Sequence, residues 1–141
     1  MSTIRKSLAL ILSLVIVCLF AVGCSQSELK PSYSIAMEIG KIQDTENGIN
    51  LDSYSNSWDN VLIDSSYDVK TAVENLKIDN ADKVSVTGYD DTLVVAFIKD
   101  NSITDYAFID DENKEVFDIL FDYMYQNTGK IYPKGTLFEK N

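Results

Sequence analysis

The run Leu93-Val94-Val95-Ala96-Phe97-Ile98 decides the fold, because six consecutive apolar residues match the length of one β-strand. A strand with apolar side chains on both sides needs packing partners on both of its faces. Turn-forming residues bound the run, at 88–91 (GYDD) before it and at 99–102 (KDNS) after it. The sequence therefore predicts a central strand that is joined to its neighbours by short turns.

Shorter segments with strand character flank this run. Residues 84–87 (VSVT) alternate apolar and polar side chains, and predict a hairpin partner that precedes the central strand. Residues 103–109 predict a third, antiparallel strand, residues 34–39 a first strand and residues 130–133 a last one. Pro133 marks the last strand as an edge strand or as its end, because proline cannot donate to a strand ladder.

Two helices are predicted from apolar stripes with helical spacing. The first stripe is Val69, Ala72, Val73 and Leu76, at positions i, i+3, i+4 and i+7. The second helix follows acidic residues at 110–112, where the helix dipole favours negative charge, and ends before Gly129. Its apolar face consists of Val116, Phe117, Ile119, Leu120, Phe121, Tyr123 and Met124.

These elements predict an α+β fold: a small, mainly antiparallel sheet with two helices packed on one face, after an N-terminal signal peptide. We expect both helices to cover Val95 and Phe97. We expect the segment 35–62, with Trp58, Val61 and Leu62, to cover the opposite face. Residues 44–60 are rich in Asp, Asn, Ser and Gly, and the sequence gives no secondary structure for 40–63.

The first 23 residues have the organisation of a secretory signal peptide. Arg5 and Lys6 precede an apolar stretch at 8–22 that only Ser13 interrupts. A helix of that length reaches roughly 22 Å, which is short of the ~30 Å hydrocarbon core of a membrane. A permanent single-span anchor is the alternative interpretation.

The residues at the end of this segment, Ala21-Val22-Gly23-Cys24, resemble the lipobox of bacterial lipoproteins. The resemblance implies that Cys24 receives a diacylglyceryl thioether, with palmitate-type acyl chains, and that the chain is cut just before it. Ala21 stands where most lipoboxes carry Leu. Ordinary cleavage after Gly23 is the alternative, because Ala21 and Gly23 also fit a signal peptidase site. That cleavage would leave Cys24 as a lone thiol in an exported protein.

The domain plan that follows is residues 1–23 as a removed lipoprotein signal peptide, 24–33 as lipidated Cys24 with a tether, and 34–141 as a single α+β domain. Arg5 and Lys6 are the only charged residues that such cleavage removes from the 12 basic and 22 acidic residues of the chain. The formal charge would therefore fall from −10 to −12. This charge disfavours contact with anionic lipid, so the acyl chains, and not the protein surface, would supply the membrane attachment.

The composition also excludes several classes of function. The chain has no His, which removes the commonest general base and the commonest neutral metal ligand. A net acidic chain is a poor partner for nucleic acid. The acid pairs at 90–91 and 110–111 lie where turns and helix caps favour Asp, so we predict no catalytic residues, no metal and no cofactor. The acidic loop at 44–52 lacks the spacing of an EF-hand, and we interpret it as a solvated loop.

The aromatic residues are the remaining candidates for a site. Tyr54, Trp58 and Tyr67 are spread through a polar stretch and would suit an exposed platform for a glycan or a peptide. The alternative is that they pack as a lid over the sheet. Phe97, Phe108, Phe117 and Phe121 are interpreted as core residues.

Residues 72–98 (AVENLKIDNADKVSVTGYDDTLVVAFI) resemble the core of sporulation-associated lipoproteins of the YhcN/YlaJ type and of related BON-like modules. The resemblance implies a helix before a V-x-V hairpin, then a second helix and a final strand. It implies no catalytic residues, since such modules are structural or binding domains.

We therefore expect a bacterial surface lipoprotein, not an enzyme, attached through Cys24 to the extracytoplasmic face of the cell membrane. Its small domain would serve as a binding or assembly module in the cell envelope, with a protein or a glycan as partner. The alternative is an accessory or ligand-binding subunit of an envelope enzyme or transporter.

Overall fold

A computed structural model describes residues 28–141 of the chain. The predicted signal peptide, its cleavage residues Ala21 and Gly23, and the lipidation residue Cys24 lie outside the described residues. Within 28–141, no helix is both long enough and apolar enough to cross a membrane.

The fold is α+β, as predicted, and its main sheet is antiparallel throughout. The helices of the described part are α1 (Tyr33–Gly40), α2 (Val69–Asn75) and α3 (Lys114–Gln126), with a 3-10 turn at Ala81–Lys83. The strands are β1 (Ile49–Asn50), β2 (Asn60–Ser65), β3 (Leu93–Lys99), β4 (Ser102–Ile109), β5 (Ile131–Pro133) and β6 (Leu137–Phe138). Strand order in the main sheet is β4-β3-β2-β5, and β1 pairs with β6 in a separate two-stranded sheet.

The predicted central strand is confirmed. β3 lies between β2 and β4, and all six residues of its apolar run are buried. The turn to β4 is also where the sequence places it, with Asp100 and Asn101 both at positive φ. Two consecutive residues in that conformation are typical of a tight hairpin turn, and Asp and Asn tolerate it better than most residues.

The two faces of the sheet carry separate hydrophobic cores. On one face, Val61, Ile63, Val95 and Phe97 pack with the buried side chains of α1 and α3. On the other face, Leu62, Val94, Ala96 and Ile98 pack with α2, the 3-10 turn and Val84. The sheet is therefore covered on both sides, as a central strand with apolar residues on both faces requires.

One detail of the predicted helix packing is wrong. One face does carry two helices, but they are α1 and α3, while α2 covers the opposite face. Both faces of β3 are apolar, so its residue pattern contains nothing that assigns α2 to one face or the other. The expected second cover from 35–62 is also wrong, because Trp58 packs on the face of Val95 and Phe97, and Val61 and Leu62 lie in strand β2 of the sheet itself.

Residues 34–39, predicted as a strand, belong to helix α1. Ser32 caps this helix by accepting a hydrogen bond from the backbone of Ile35 at 3.3 Å. Ile35 and Ile39 are its buried residues, and their spacing of four places both on one face of the helix. The alternation of apolar and polar residues in this short segment is compatible with a strand or a helix, and the Ser32 cap stabilises the helix.

The hairpin partner of the central strand is also different from the predicted one. Residues 85–89 form no strand, and Val84 makes only an isolated parallel bridge with Leu29. The strand that pairs with β3 on this side is β2, and its first four residues lie in the region 40–63, for which the sequence predicts no secondary structure. Its apolar residues, Val61, Leu62 and Ile63, form a run of only three between polar residues, which is too short to indicate a strand from sequence alone.

In the C-terminal part, the second predicted helix and the last predicted strand are confirmed, whereas β6 and its pairing with β1 were not predicted. Helix α3 begins after Asn113, whose side chain accepts a hydrogen bond from the backbone of Val116 at 3.4 Å. Gly129 adopts a positive φ of 74° shortly after the helix ends, a conformation that favours glycine. β5 contains Pro133 and is an edge strand of the main sheet.

Candidate functional site

The predicted platform residues do not form one exposed surface. Trp58 is buried, and its ring meets that of Phe97 edge to face, with 5.1 Å between the ring centroids. Tyr54 is half-buried against the same core, and burial, followed by the charge of Glu38, raises the pKa of its hydroxyl. These two residues therefore follow the alternative interpretation, in which aromatic residues of this segment pack over the sheet.

Tyr67 is the exposed member of the predicted set, with 60% of its surface accessible. Its hydroxyl donates a hydrogen bond of 2.6 Å to the carboxylate of Asp90. That bond is the main reason why the pKa of Tyr67 is raised, because it stabilises the protonated phenol. The ring also lies directly on the backbone of Gly88, where a Cβ atom would collide with it. Tyr67 is thus held in one position although it faces solvent.

Tyr67 lines an open groove of about 360 Å³, which we call the aromatic groove. Its lining residues are Ser65, Tyr67, Tyr89, Asp90, Asp91, Thr92, Leu93, Phe117, Phe121 and Met124. They come from three separate parts of the chain: the end of β2, the segment before β3, and helix α3. The fold gathers aromatic rings here from positions that are far apart in the sequence.

Helix α3 contributes a row of rings to this region, which we call the ring stack. Phe117, Phe121 and Tyr125 follow one another at intervals of four residues, and their rings are nearly parallel. The centroids are 5.9 Å apart in the first pair and 6.0 Å apart in the second. Phe117 is half-buried, Phe121 is 39% exposed and Tyr125 is 75% exposed. The stack therefore runs from the edge of the core out to solvent.

Two of the rings predicted as core residues thus belong to the groove. Phe117 lies at the edge of the core and Phe121 is exposed, whereas Phe97 is fully buried as expected. The sequence contained a signal for this difference, since the apolar face of α3 is wider than one buried stripe. Its buried residues are Val116, Ile119, Leu120 and Met124, and the row at 117, 121 and 125 is in excess of them.

The aromatic groove carries negative charge only. Asp90 and Asp91 are its charged lining residues, and both are exposed. Asp91 has a positive φ of 52°, in the turn that leads into β3. The groove therefore combines aromatic faces with carboxylates, an arrangement that suits a ligand with positive charge and apolar surface.

A second, larger groove of about 950 Å³ lies between α1 and the start of α3. Exposed Tyr33 and Met37 line it on the α1 side, and residues of both charges line it elsewhere, among them Lys41, Lys114 and Glu115. The Asn113 side chain donates hydrogen bonds to the backbone of Gly40 and Ile42, at 3.0 and 2.8 Å. This groove has no uniform charge and no stacked rings.

Side-chain oxygen atoms of the acidic loop at 44–52 accept hydrogen bonds from the protein backbone. Asp44 and Asn50 each accept a hydrogen bond from the backbone two residues further on, and Asp52 accepts one from Gly135 at 2.8 Å. Among residues 28–141, no three His, Cys, Asp or Glu side chains are grouped closely enough to hold a metal ion.

Asp64 is a buried carboxylate on β2, 1% exposed. It accepts a hydrogen bond of 2.8 Å from the backbone of Ser65. Burial raises the pKa of Asp64, the charge of Asp68 raises it further, and the Ser65 hydrogen bond opposes this. Asp64 lines neither groove, so we expect its raised pKa to influence the stability of the fold and not ligand binding.

Comparisons with protein-family models, with curated proteins and with solved structures find no match to this chain.

Proposed function

We propose that this protein is a lipid-anchored module on the extracytoplasmic face of a bacterial membrane, and that it binds a partner through the aromatic groove. The observation that carries the binding role is the set of exposed rings around one groove. Aromatic side chains that stay in contact with water although a well-packed core is available are typical of interaction surfaces. The lipobox-like sequence before Cys24 supports the anchor.

The start of the described chain supports a position close to the membrane. The backbone of Leu29 donates a hydrogen bond to Lys83 at 2.9 Å, and its carbonyl accepts one from the hydroxyl of buried Tyr106 at 2.7 Å. The chain is therefore fixed to the domain five residues after Cys24. Five extended residues span at most about 17 Å, so a lipidated Cys24 would hold this side of the domain near the bilayer.

The anchor is tested by Cys24→Ser, with Cys18→Ser as the matched control. Cys18 is the only other cysteine and lies inside the predicted signal peptide. We expect wild type and Cys18→Ser to be cleaved and to partition into detergent. We expect Cys24→Ser to remain uncleaved or to be released from the membrane. Wild-type mature protein found wholly in the aqueous phase would refute the anchor.

The binding role is tested by photocrosslinking in intact cells. p-Benzoylphenylalanine is placed at position 125, next to the aromatic groove, or at position 33, which is equally exposed but lies on the second groove. We expect discrete crosslinked products from position 125 and none of the same size from position 33. Identical patterns from the two positions would contradict a binding role for the aromatic groove.

A further inference from the structure

The chemistry of the aromatic groove narrows the class of its ligand. The groove presents the rings of Tyr67, Tyr89 and Phe121, each of them exposed. The face of an aromatic ring carries partial negative charge and attracts cations that lie over it. A groove with several such faces is suited to ammonium or guanidinium groups that also have apolar stems.

The carboxylates of the groove act in the same direction. Asp90 and Asp91 line it, and none of its ten lining residues is basic. The second groove differs, because Lys41 and Lys114 lie among its lining residues. The chain as a whole has a formal charge of −10, which adds a long-range attraction for cationic ligands. Charge complementarity thus favours a basic ligand at the aromatic groove.

The groove is also preorganised. The ring of Tyr67 is fixed between Gly88 and its hydrogen bond to Asp90. The ring of Tyr89 meets that of Phe108 edge to face, with 6.2 Å between centroids. Rings that are already in place lose little conformational entropy when a ligand binds.

The size of the surface indicates an extended ligand. The ring stack continues the groove from Phe117 to Tyr125, which are eight residues apart on α3. Eight residues of α-helix span about 12 Å, which is more than one ammonium group occupies. A peptide segment with several basic side chains would fill this length, whereas a single small cation would not.

We propose that the aromatic groove and the adjoining ring stack bind a lysine- or arginine-rich segment of a partner protein. The basic side chains lie over the rings of Tyr67 and Tyr89, their apolar stems pack against the exposed part of Phe121, and their charged ends reach Asp90 and Asp91. This inference rests on the proposed function as a binding module and adds the ligand class to it.

The test is a titration of fluorescein-labelled octalysine into the full chain, purified in a non-ionic detergent and followed by fluorescence anisotropy. Unlabelled octaglutamate and chitotetraose, a neutral glycan, are added as competitors, and fluorescein-labelled chitotetraose is also titrated alone so that its own binding is measured. Octalysine is expected to bind at low salt and to weaken as salt screens the carboxylates. Neither competitor is expected to displace it.

Matched variants separate the groove from general attraction to an acidic protein. Asp90→Asn/Asp91→Asn removes two charges from the groove, and Asn suits the positive φ at position 91. Asp110→Asn/Asp111→Asn removes two exposed charges elsewhere and is the control. We expect the groove variant to bind octalysine about tenfold more weakly than the control variant does. Phe121→Ala should weaken binding about three- to tenfold, and Met37→Ala on the second groove should not.

The outcomes discriminate between the inference and the function on which it rests. Equal octalysine affinity in the two charge variants would overturn the groove as the basic-peptide site. Binding of chitotetraose that Phe121→Ala abolishes, without octalysine binding, would overturn the ligand class and leave the binding module standing. Absence of binding by both probes would also overturn the inference. None of these results depends on the anchor, which Cys24→Ser tests separately.

Discussion

Helix α3 carries two groups of aromatic rings that differ in geometry and in exposure. Tyr123 packs with Tyr132 and Phe138 in a C-terminal ring cluster, where all three pairs meet edge to face at 5.0 to 5.8 Å. The ring stack of Phe117, Phe121 and Tyr125 is nearly parallel and extends into solvent. The difference shows that the same residue types on one helix serve packing on one side and leave a free surface on the other.

Hydrogen bonding separates the two groups further. In the C-terminal ring cluster, the hydroxyl of Tyr132 donates to the backbone of Tyr123 at 3.2 Å, and the hydroxyl of Tyr123 accepts from the backbone of Glu139 at 2.9 Å. Burial is the main cause that raises the pKa of Tyr132. The cluster thus ties α3, β5 and the C-terminal residues together, and its function is structural.

The largest expected effect contrasts Phe138→Ala with Phe121→Ala. Phe138 is 1% exposed, so its truncation leaves a cavity and should cost about 3–5 kcal/mol of unfolding free energy. Phe121 is already 39% exposed, and its truncation should cost under about 1.5 kcal/mol. Urea unfolding of both variants measures this. Equal midpoints would show that the ring stack is part of the core.

A second contrast concerns carboxylates, one buried and one exposed. Because burial raises the pKa of Asp64 in the folded state, its charged form opposes folding. Asp64→Asn should therefore stabilise the protein at pH 7, by on the order of 1 kcal/mol. This gain should shrink as the pH falls through the raised pKa and vanish below the ordinary value of about 3.9 for an unfolded Asp.

Asp91→Asn is the matched control for that change. Asp91 is exposed, and its replacement should alter stability by less than about 0.5 kcal/mol. Thermal unfolding of both variants between about pH 3 and pH 8 measures the difference. A loss of stability for Asp64→Asn at pH 7 would mean that the buried carboxylate makes a net favourable interaction.

The parts of the fold that the sequence predicted are those that depend on interactions between residues close together in the chain. The apolar run of β3, the turn at Asp100 and Asn101, and helix α3 depend on local patterns, and all were predicted. β2 was missed because its apolar run, Val61 to Ile63, has only three residues between polar ones, and because its pairing with β3 joins residues some 30 positions apart. The side of the sheet on which α2 packs was unpredictable from a strand that is apolar on both faces.

The candidate site was predicted in part. Tyr67 was among the residues singled out, but its contacts with Gly88 and Asp90 link it to residues more than 20 positions away. Tyr54 and Trp58 have the same composition signal and are in or against the core. Aromatic residues in a polar segment are thus candidates for an exposed binding surface, but only the tertiary structure shows which of them are exposed and which are buried.

A smaller effect distinguishes the two tyrosines of α3. Tyr123→Phe removes the acceptor of the Glu139 backbone and should cost about 0.5–1 kcal/mol. Tyr125→Phe changes a residue that is 75% exposed and should leave stability unchanged to within about 0.5 kcal/mol. Urea unfolding at pH 7 checks both values. A larger loss for Tyr125→Phe would show that its hydroxyl has a structural role.

The most direct test of a ring stack that serves binding and not packing is Phe121→Ala, measured twice on the same preparation. Its unfolding free energy and its affinity for octalysine are compared with those of the wild type. We predict an affinity loss of about three- to tenfold with a stability loss under about 1.5 kcal/mol. An unchanged affinity, or a stability loss as large as that of Phe138→Ala, would contradict the account.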